Sequence, residues 1–347
     1  MMTDAGSLSQ PVMRGRSKAL RECMDPRLKD PPVFIVGMPR SGTTLVSMIL
    51  NGHSRICITP ETHYFDKFYR KGERRGCTAD EAAFERFVAY VTESSNIQQM
   101  GFTAEERSQL AEKILATGRR SHAVVLGTLL ASYAATQEKS IVGEKTPKHI
   151  LYTDAIFDAF PQARILHVVR DPRDVILSLR KVDWEVGNML EHLGQWKQAI
   201  RVGMHAARVH AGRLMVVRYE DVLESPEQTV RDVCDFLGVA FEPAMLAYHE
   251  HTPANFDVKL EPWKVKNLQP IDAQNRMKWK TLMSANDCAL VEARAGEEMA
   301  ALGYPLVMLG LDGGARLRLG YLSVENALLH GSNLLQRVWL RLRERYG

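Results

Sequence analysis

Short apolar runs alternate with longer stretches of helical periodicity along most of the chain. The apolar runs begin near residues 33, 56, 141, 165 and 214. Strands that alternate with helices in this way are typical of a parallel β-sheet with helices on both faces. The sequence therefore predicts an α/β fold, in which ligands bind beyond the carboxyl ends of the strands.

A long helical stretch, residues 78–137, lies between the apolar run near residue 56 and the one near residue 141. Helix starts are indicated at Thr78, Thr103 and Ser225, because each of these hydroxyl residues is followed three positions later by Glu or Gln. Two of the starts fall within the stretch. We therefore expect a helical insertion that forms a lid or a wall over the binding site.

The two ends of the chain differ from its body. Residues 1–30 are polar, whereas residues 306–347 predict an amphipathic helical tail. Such a tail packs on its own domain, pairs with a second subunit in a homodimer, or lies on an acidic membrane surface, and packing is the commoner outcome. Its apolar positions are Tyr321, Val324, Leu328, Leu335, Val338 and Leu342, and its clustered arginines are Arg337, Arg341, Arg343 and Arg345.

The first apolar run leads into a loop bracketed by two glycines and then into a helix start. Gly37, Gly42 and Thr44 occupy the positions of the glycines and the hydroxyl residue in the P-loop of nucleotide-binding proteins. That loop wraps backbone N–H groups around phosphate at a helix N-terminus. Thr43 stands where the P-loop has its lysine, and Arg40 is the candidate replacement for the missing charge. The loop therefore predicts a site for a phosphate-like anion.

A second strand-to-helix element follows the apolar run near residue 165. Asp171 is its predicted N-cap, with a proline at the first helical position. Arg170 at the strand end offers a guanidinium for a charge-assisted contact to phosphate, and Ser178, two turns into the helix, can reach the same group. The alternative is a surface ion pair of Arg170 with Asp171 or Asp174, which would contribute little energy.

These two elements resemble the nucleotide-binding motifs of the sulfotransferases. Residues 39–45, PRSGTTL, are similar to the family loop that holds the 5′-phosphosulfate of 3′-phosphoadenosine 5′-phosphosulfate (PAPS), and Arg170 and Ser178 match the pair that holds the 3′-phosphate. The resemblance covers residues 31–305. It implies a P-loop-like sulfotransferase fold, PAPS as co-substrate and a hydroxyl-bearing acceptor. The implied donor-binding residues of the loop are Arg40, Ser41, Gly42, Thr43 and Thr44.

Sulfuryl transfer to a hydroxyl needs a base for the acceptor proton and a cation for the leaving oxygen. Glu61 and His63 are the bases on offer after the apolar run near residue 56. This region resembles the protein-tyrosine sulfotransferases, whose glutamate base matches Glu61, so we rank Glu61 first and His63 second. The alternative for Glu61 is a helix-capping or loop carboxylate. Lys145 matches the family lysine at the leaving oxygen, and its alternative is a solvated ion pair with Glu144.

The resemblance also implies two later contacts to the nucleotide. Tyr219 follows the last apolar run, where family members often have a tyrosine near the nucleotide, although core packing explains a tyrosine there equally well. Lys278 belongs to the string Lys278-Trp279-Lys280, in a segment that closes over the nucleotide in family members. The alternative for this string is a solvated helix start.

Charge and cysteine content narrow the function classes. Of the net charge of +4, residues 310–347 contribute +3, from six arginines against three acidic residues. The rest of the chain is nearly neutral, which argues against nucleic-acid binding. The five cysteines are scattered and lack metal-ligand spacing, so no disulfide framework, zinc site or other metal is expected. Without an apolar signal or membrane-spanning run, we expect a cytoplasmic protein.

The function predicted from these observations is PAPS-dependent sulfuryl transfer to a carbohydrate, tyrosyl-peptide, lipid or metabolite hydroxyl. One alternative is a P-loop kinase, which needs magnesium and normally has the loop lysine that is absent here. The other is a non-catalytic nucleotide-binding protein of the same fold. Retention of both Glu61 and Lys145 favours the enzyme.

Overall fold

The computed structural model describes residues 30–182, 187–252, 256, 258–259, 261–307 and 310–325. Its centre is a five-stranded sheet in which all neighbouring strands are parallel. The order across the sheet is β2-β3-β1-β4-β5, so β1 is central; the chain passes from β1 to the edge strand β2, returns to β3, and then crosses β1 to reach β4 and β5. The strands are β1 Val33–Gly37, β2 Ile56–Thr59, β3 Ile141–Lys145, β4 Arg164–Val169 and β5 Leu214–Arg218. All five predicted strands are confirmed.

Two apolar cores cover the two faces of the sheet. Phe34 and Val36 of β1 join one core, and Val33 and Ile35 join the other. Successive side chains of a strand point to opposite faces, so a strand that is apolar throughout must be covered on both sides. Trp196 belongs to the first core and is fully buried. The predicted parallel sheet with helices on both faces is thus correct.

Helical segments connect the strands and follow the last one. Up to β3 they are Thr43–Asn51, a π-helix Tyr64–Tyr69, Arg70–Arg74, Glu81–Thr92, Ser95–Gln98, Ala104–Leu115 and His122–Thr136. From β3 to β5 they are a 3₁₀-helix Pro147–Tyr152, then Thr153–Ala159, Pro172–Leu179 and Met189–Val209. After β5 they are Tyr219–Glu224, Pro226–Leu237, 3₁₀-helices Pro243–Met245 and Pro262–Leu268, and the helices Tyr248–His251, Trp279–Leu282, Ala285–Ala301 and 313–325.

The predicted helix starts are correct with one exception. Thr103 forms a full capping box with Glu106, and Asp171 caps the helix that Pro172 opens. Ser225 stands at the N-cap position of its helix, although its side chain makes no capping hydrogen bond. The start assigned to Thr78 is wrong, because the helix begins at Glu81. Its N-cap is Asp80, whose carboxylate accepts from Ala83 N–H.

The described part of the tail is a helix, residues 313–325, that docks on the domain through a face other than the predicted one. Ala315 and Leu322 are buried, whereas Tyr321 and Val324 are more than half exposed. Asn188 anchors the helix by donating to the Leu322 carbonyl over 2.8 Å. The remaining predicted apolar and basic positions, from Leu328 onward, lie outside the described residues. Within the described ranges, no helix has the length and apolarity needed to cross a membrane.

Candidate active site

A cavity of about 980 Å³ opens where β1, β3, β4 and β5 end. Parallel strands bring their carboxyl ends to one edge of the sheet, and β1 lies where the winding reverses, so this edge is the expected ligand position. The residues implied by the family resemblance converge here. Those that line the cavity are Arg40, Gly42, Thr43, Thr44, Glu61, His63, Arg170, Ser178, Tyr219 and Lys278. Two do not line it: Ser41 is fully buried, and Lys145 is buried in contact with Glu61.

The loop after β1 has the backbone of an anion-binding turn. Arg40 and Gly42 are left-handed, with φ of 71° and 97°. Gly42 is the N-cap of helix Thr43–Asn51 and offers no side chain to its first N–H groups, which leaves them for an anion. A Cβ on Gly42 would lie 2.2 Å from Cδ2 of Tyr219. Glycine is thus required both by the backbone angle and by the ring packed against it.

Two guanidinium groups meet beside this loop. Arg40 Nε donates to Ser178 Oγ over 3.1 Å, and Arg170 Nη1 donates to the Arg40 carbonyl over 3.3 Å. Burial, and then the neighbouring charge of Arg170, lower the pKa of Arg40. Among the described residues, Arg170 Nε and the Ser41 hydroxyl are buried without a hydrogen-bond partner. Two adjacent guanidinium groups, one of them with an unused buried donor, form a strong anion site.

The proposed alternative for Arg170, an ion pair with an aspartate, is partly correct. Arg170 Nη2 lies 3.7 Å from Asp174 Oδ2, but Asp171 pairs with Arg173 instead. The Arg170 side chain is only 8% exposed, so this pair is buried and not a surface contact. Its guanidinium also lies 4.5 Å from the centre of the Tyr219 ring. Arg170 is therefore held in place while part of its donor capacity stays free.

Asn275 connects the later predicted contacts, and no sequence pattern pointed to it. Its side-chain N–H donates to the Tyr219 hydroxyl over 2.7 Å, and its side-chain oxygen accepts from Lys278 Nζ over 2.5 Å. Its backbone carbonyl accepts from Arg170 Nη2. Trp279 is buried, with the Arg173 guanidinium 3.5 Å from its ring centre, so only Lys278 of the basic-aromatic string reaches the cavity.

Glu61 is held between two lysine ammonium groups. Its Oε1 lies 2.5 Å from Lys145 Nζ and 2.7 Å from Lys264 Nζ, and His63 Nε2 lies 3.4 Å from Oε2. Burial alone would raise the pKa of Glu61, but Lys145, Lys264 and His63 outweigh burial and hold that pKa well below its usual range. The pKa of Lys145 is lowered by its own burial. Glu61 is thus an ionised carboxylate in the cavity wall.

Lys264 is the principal residue that the sequence reading missed. It lies in the 3₁₀-helix Pro262–Leu268 and is buried, and its ammonium also pairs with Glu261. A faint signal was present, because Trp263-Lys264-Val265-Lys266 is a basic-aromatic string like the one at Lys278. Nothing in the string itself distinguishes a buried lysine from a solvated one. Its position depends on Glu61, which lies far away along the chain.

A line of alternating acids and histidines continues behind Glu61. His63, in a left-handed conformation, lies 3.1 Å from Asp66, and Asp66 lies 3.3 Å from His149. His149 Nδ1 is 2.9 Å from Glu144, which also accepts from the hydroxyls of Thr62 and Thr146. Burial opposes protonation of His149, but Glu144 and Asp66 raise the pKa of His149 to about 9. Glu144 is therefore the partner of His149, and the alternative for Lys145, a solvated ion pair with Glu144, is wrong because Lys145 is buried and pairs with Glu61.

The cavity wall opposite the loop comes from the segment between β2 and β3. Lys67 of the π-helix donates to Asn96 Oδ1 over 3.1 Å, and Ser95, Asn96 and Gln99 line the cavity. These polar groups lie within the predicted insertion or just before it. The wall therefore offers hydrogen-bonding groups beside Glu61.

Comparison with known proteins gives a consistent picture. The model of the sulfotransferase family matches residues 31–243, more than half of the chain. A protein-tyrosine sulfotransferase of Drosophila melanogaster is 25% identical over 72% of this chain and 47% of its own length, and protein-tyrosine sulfotransferase 2 of Gallus gallus is 24% identical over 72% and 63%. The chain thus spans less than two thirds of these two relatives.

Two solved structures share the fold. The sulfotransferase domain of the Synechococcus PCC 7002 olefin synthase has a TM-score of 0.56 and 23% identity over 80% of this chain and 96% of that domain. The sulfotransferase domain from the curacin biosynthetic pathway has a TM-score of 0.57 and 21% identity, over 80% and 99%.

Proposed function

The chain belongs to the sulfotransferase family, and from this premise we propose that it transfers a sulfuryl group from PAPS to the hydroxyl of an acceptor. The observation that carries the proposal is the Glu61 carboxylate, which lines the cavity next to the anion-binding loop and contacts two buried ammonium groups, one in the cavity wall and one behind it. A base and cations placed side by side are what sulfuryl transfer to a hydroxyl requires.

The donor would lie along the loop and the end of β4. The backbone N–H groups that begin helix Thr43–Asn51, together with Arg40, would hold the 5′-phosphosulfate. Arg170 and Ser178 would hold the 3′-phosphate, with Tyr219 and Lys278 as further contacts. The buried, unused Nε of Arg170 supports this fit, because a phosphate oxygen is the acceptor that such a donor prefers.

The reaction would proceed by in-line displacement. The acceptor oxygen attacks sulfur while its proton passes to Glu61, the bond from sulfur to the bridging oxygen breaks, and adenosine 3′,5′-bisphosphate (PAP) leaves. Lys145 would neutralise the charge that develops on the bridging oxygen, and Lys264 would assist on the side of Glu61. His63 is the second candidate base, and its contact with Asp66 gives it a fixed orientation.

The depressed pKa of Glu61 makes it a weak base while both ammonium groups contact it, and a change in those contacts would strengthen it. A phosphosulfate bound at the loop competes for Lys145 and Lys264. As these ammonium groups turn to the donor, the pKa of Glu61 rises toward its ordinary value. The base would thus gain strength when the donor is in place.

We also propose that residues 78–137 form the acceptor wall, since Ser95, Asn96 and Gln99 line the cavity there. The acceptor itself is a hydroxyl compound. Three further points stay predictions: a cytoplasmic location, the domain limit near residue 305 and the role of the tail. The polar wall suits a hydrogen-bonding acceptor, such as a glycan or a peptide.

The donor assignment is tested by calorimetric binding of PAP and of magnesium-ATP to the wild type and to Arg170→Ala. We expect the wild type to prefer PAP, and the variant to bind PAP about 10- to 100-fold more weakly, since hydrogen bonds to charged groups contribute about 1.5–3 kcal/mol. Arg180→Ala is the matched control, because Arg180 pairs with Asp287 outside the cavity. Preference for magnesium-ATP, unaffected by Arg170→Ala, would support the kinase alternative instead.

A further inference from the structure

Three possible metal ligands converge at a place separate from the cavity. They are Glu73, Cys77 and His122, whose ligand atoms all lie within 4.8 Å of one another. His122 Nε2 lies 3.0 Å from Glu73 Oε1 and 3.7 Å from Cys77 Sγ. Ligand atoms on a tetrahedral zinc ion, at about 2.0–2.3 Å from the metal, are roughly 3.3–3.6 Å apart. The observed spacing is close to that arrangement.

The Glu73 carboxylate can only accept a hydrogen bond, so His122 Nε2 carries a proton in its contact with Glu73, and a metal ion would replace that proton. The Tyr64 hydroxyl lies 2.9 Å from His122 Nδ1, on the far side of the ring from Cys77. When Nδ1–H donates to this hydroxyl, the lone pair of Nε2 is directed at Cys77 and Glu73. Tyr64 is fully buried, so it fixes the ring firmly. This is the supporting hydrogen bond that metal-bound histidines usually have.

The backbone also makes room for the cluster. A Cβ on Gly72 would lie 2.9 Å from Cys77 Sγ and 3.1 Å from His122 Cε1. Gly72 has helical backbone geometry, so glycine is needed here for space. Cys77 and His122 are buried, whereas Glu73 reaches the surface with a side chain 52% exposed. An ion would therefore have an entry path along Glu73 and a water as its fourth ligand.

We propose that Glu73, Cys77 and His122 bind a divalent transition-metal ion, with zinc preferred. One thiolate, one imidazole and one carboxylate suit zinc better than magnesium or calcium, which take oxygen ligands. The spacing of these residues in the chain matches no zinc motif, so the sequence predicted no metal. The fold brings them together, because Cys77 precedes the helical insertion and His122 begins its last helix.

The ion would act as a clip for the acceptor wall. Cys77 and His122 enclose the helices Glu81–Thr92 and Ala104–Leu115, together with Asn96 at the cavity. Fixing both ends of this segment lowers the conformational freedom of the unfolded chain and stabilises the folded one. The inference does not depend on sulfuryl transfer.

The test uses the full chain, stripped with a chelator and then dialysed against zinc chloride or cobalt chloride. We expect one zinc ion per chain, an unfolding temperature that rises by several degrees, and a cobalt spectrum with a thiolate-to-metal charge-transfer band. Cys77→Ser should abolish the band and the zinc-dependent rise. Cys288→Ser, at another buried cysteine, should retain both.

If Cys77→Ser does not fold because Cys77 is buried, Glu73→Gln still tests the proposal, because Glu73 is at the surface. It should weaken zinc binding by about 10-fold or more, the effect usual for loss of groups that support a metal. A wild type that binds no zinc above background, or zinc binding and a cobalt spectrum that Glu73→Gln leaves unchanged, would overturn the proposal.

Discussion

The two halves of the cavity are built in different ways. The donor half, which comprises residues 40–44, Arg170 and Ser178, comes from two strand-to-helix turns. The reaction half, which comprises Glu61, Lys145 and Lys264, comes from three distant parts of the chain. The donor half has unused cationic donors, whereas in the reaction half each charge already has an opposite partner.

This difference predicts which half controls the affinity for the donor and which controls turnover. A site with like charges close together is stabilised by the arriving anion, so the donor half should control affinity. In the reaction half the charges of Lys145 and Lys264 are already balanced by Glu61 and Glu261, so attraction of an anion contributes less there. The reaction half should instead control turnover, because its ion pairs must rearrange as the reaction proceeds.

The strongest challenge to this division is Glu61→Gln. Removing the base should lower turnover by about 10²- to 10⁴-fold, the usual contribution of general-base catalysis. Calorimetric affinity for PAP should be equal or higher, since Lys145 and Lys264 lose their competing carboxylate. Glu261→Gln is the control, because Glu261 forms an ion pair with Lys264 but interacts with Lys145 only through longer-range electrostatics. Normal turnover in Glu61→Gln would remove Glu61 from the mechanism.

The line of acids and histidines behind the reaction half should make the free energy of unfolding depend on pH. The pKa of His149 is about 9 in the folded state, above its ordinary value of 6.5. Its stabilising contribution is therefore complete below pH 6.5 and is lost as the pH rises through about 9. The free energy of unfolding, measured with urea, should fall by up to about 3 kcal/mol across this range.

Asp66→Asn should make the free energy of unfolding fall less with rising pH, because His149 then keeps only Glu144 of its two acidic partners. Buried His167 does not interfere, since burial lowers the pKa of His167 to about 4, below this window. Equal pH slopes in the wild type and Asp66→Asn would contradict the assignment.

Lys264→Ala tests the contribution of Lys264 to turnover separately from that of Lys145. Turnover should fall by about 10- to 100-fold, because one cation at the reacting centre is lost. Affinity for PAP should change by less than a factor of about 10, since the donor half is intact. Lys266→Ala, two residues away on the same cavity wall, should have a much smaller effect on turnover. Similar losses in the two variants would show that only general positive charge matters.

Ser178→Ala is the mildest probe, and it addresses the donor half. Loss of one neutral hydrogen-bonding group should weaken PAP binding by about 5-fold, equivalent to roughly 1 kcal/mol. Turnover at saturating donor should not change. Ser225→Ala, on the surface, is the control for both measurements. A fall in saturated turnover without a change in affinity would place Ser178 in the reaction half.

The local structure of the donor half could be predicted from the sequence because its determinants are local. A strand, a turn and a helix start can be read from residues that adjoin each other, and this held for Gly42, Asp171 and all five strands. Glu61 and Lys145 were identified through family resemblance, and His63 as the other base that follows the second apolar run; the fold brings the three to one edge. Their proposed roles remain predictions.

What the sequence could not supply was partnership across long separations. Nothing near Lys145 says that it pairs with Glu61 instead of the adjacent Glu144, because that choice depends on how β2 and β3 align. Lys264 and Asn275 were missed for the same reason. The tail shows a related failure: helical spacing predicted an apolar face but not which side of the helix would meet the domain.

The central place of β1 has a consequence for biosynthesis. Val33 pairs with Gly143 on one side and with Arg164 on the other, so both neighbours of this apolar strand leave the ribosome long after it. Until then its backbone groups and side chains have no native cover, which exposes the nascent chain to aggregation. Such long-range pairing also slows folding. Expression yield should therefore depend on chaperones during translation, and a nascent chain that stops before β4 should be the form they retain.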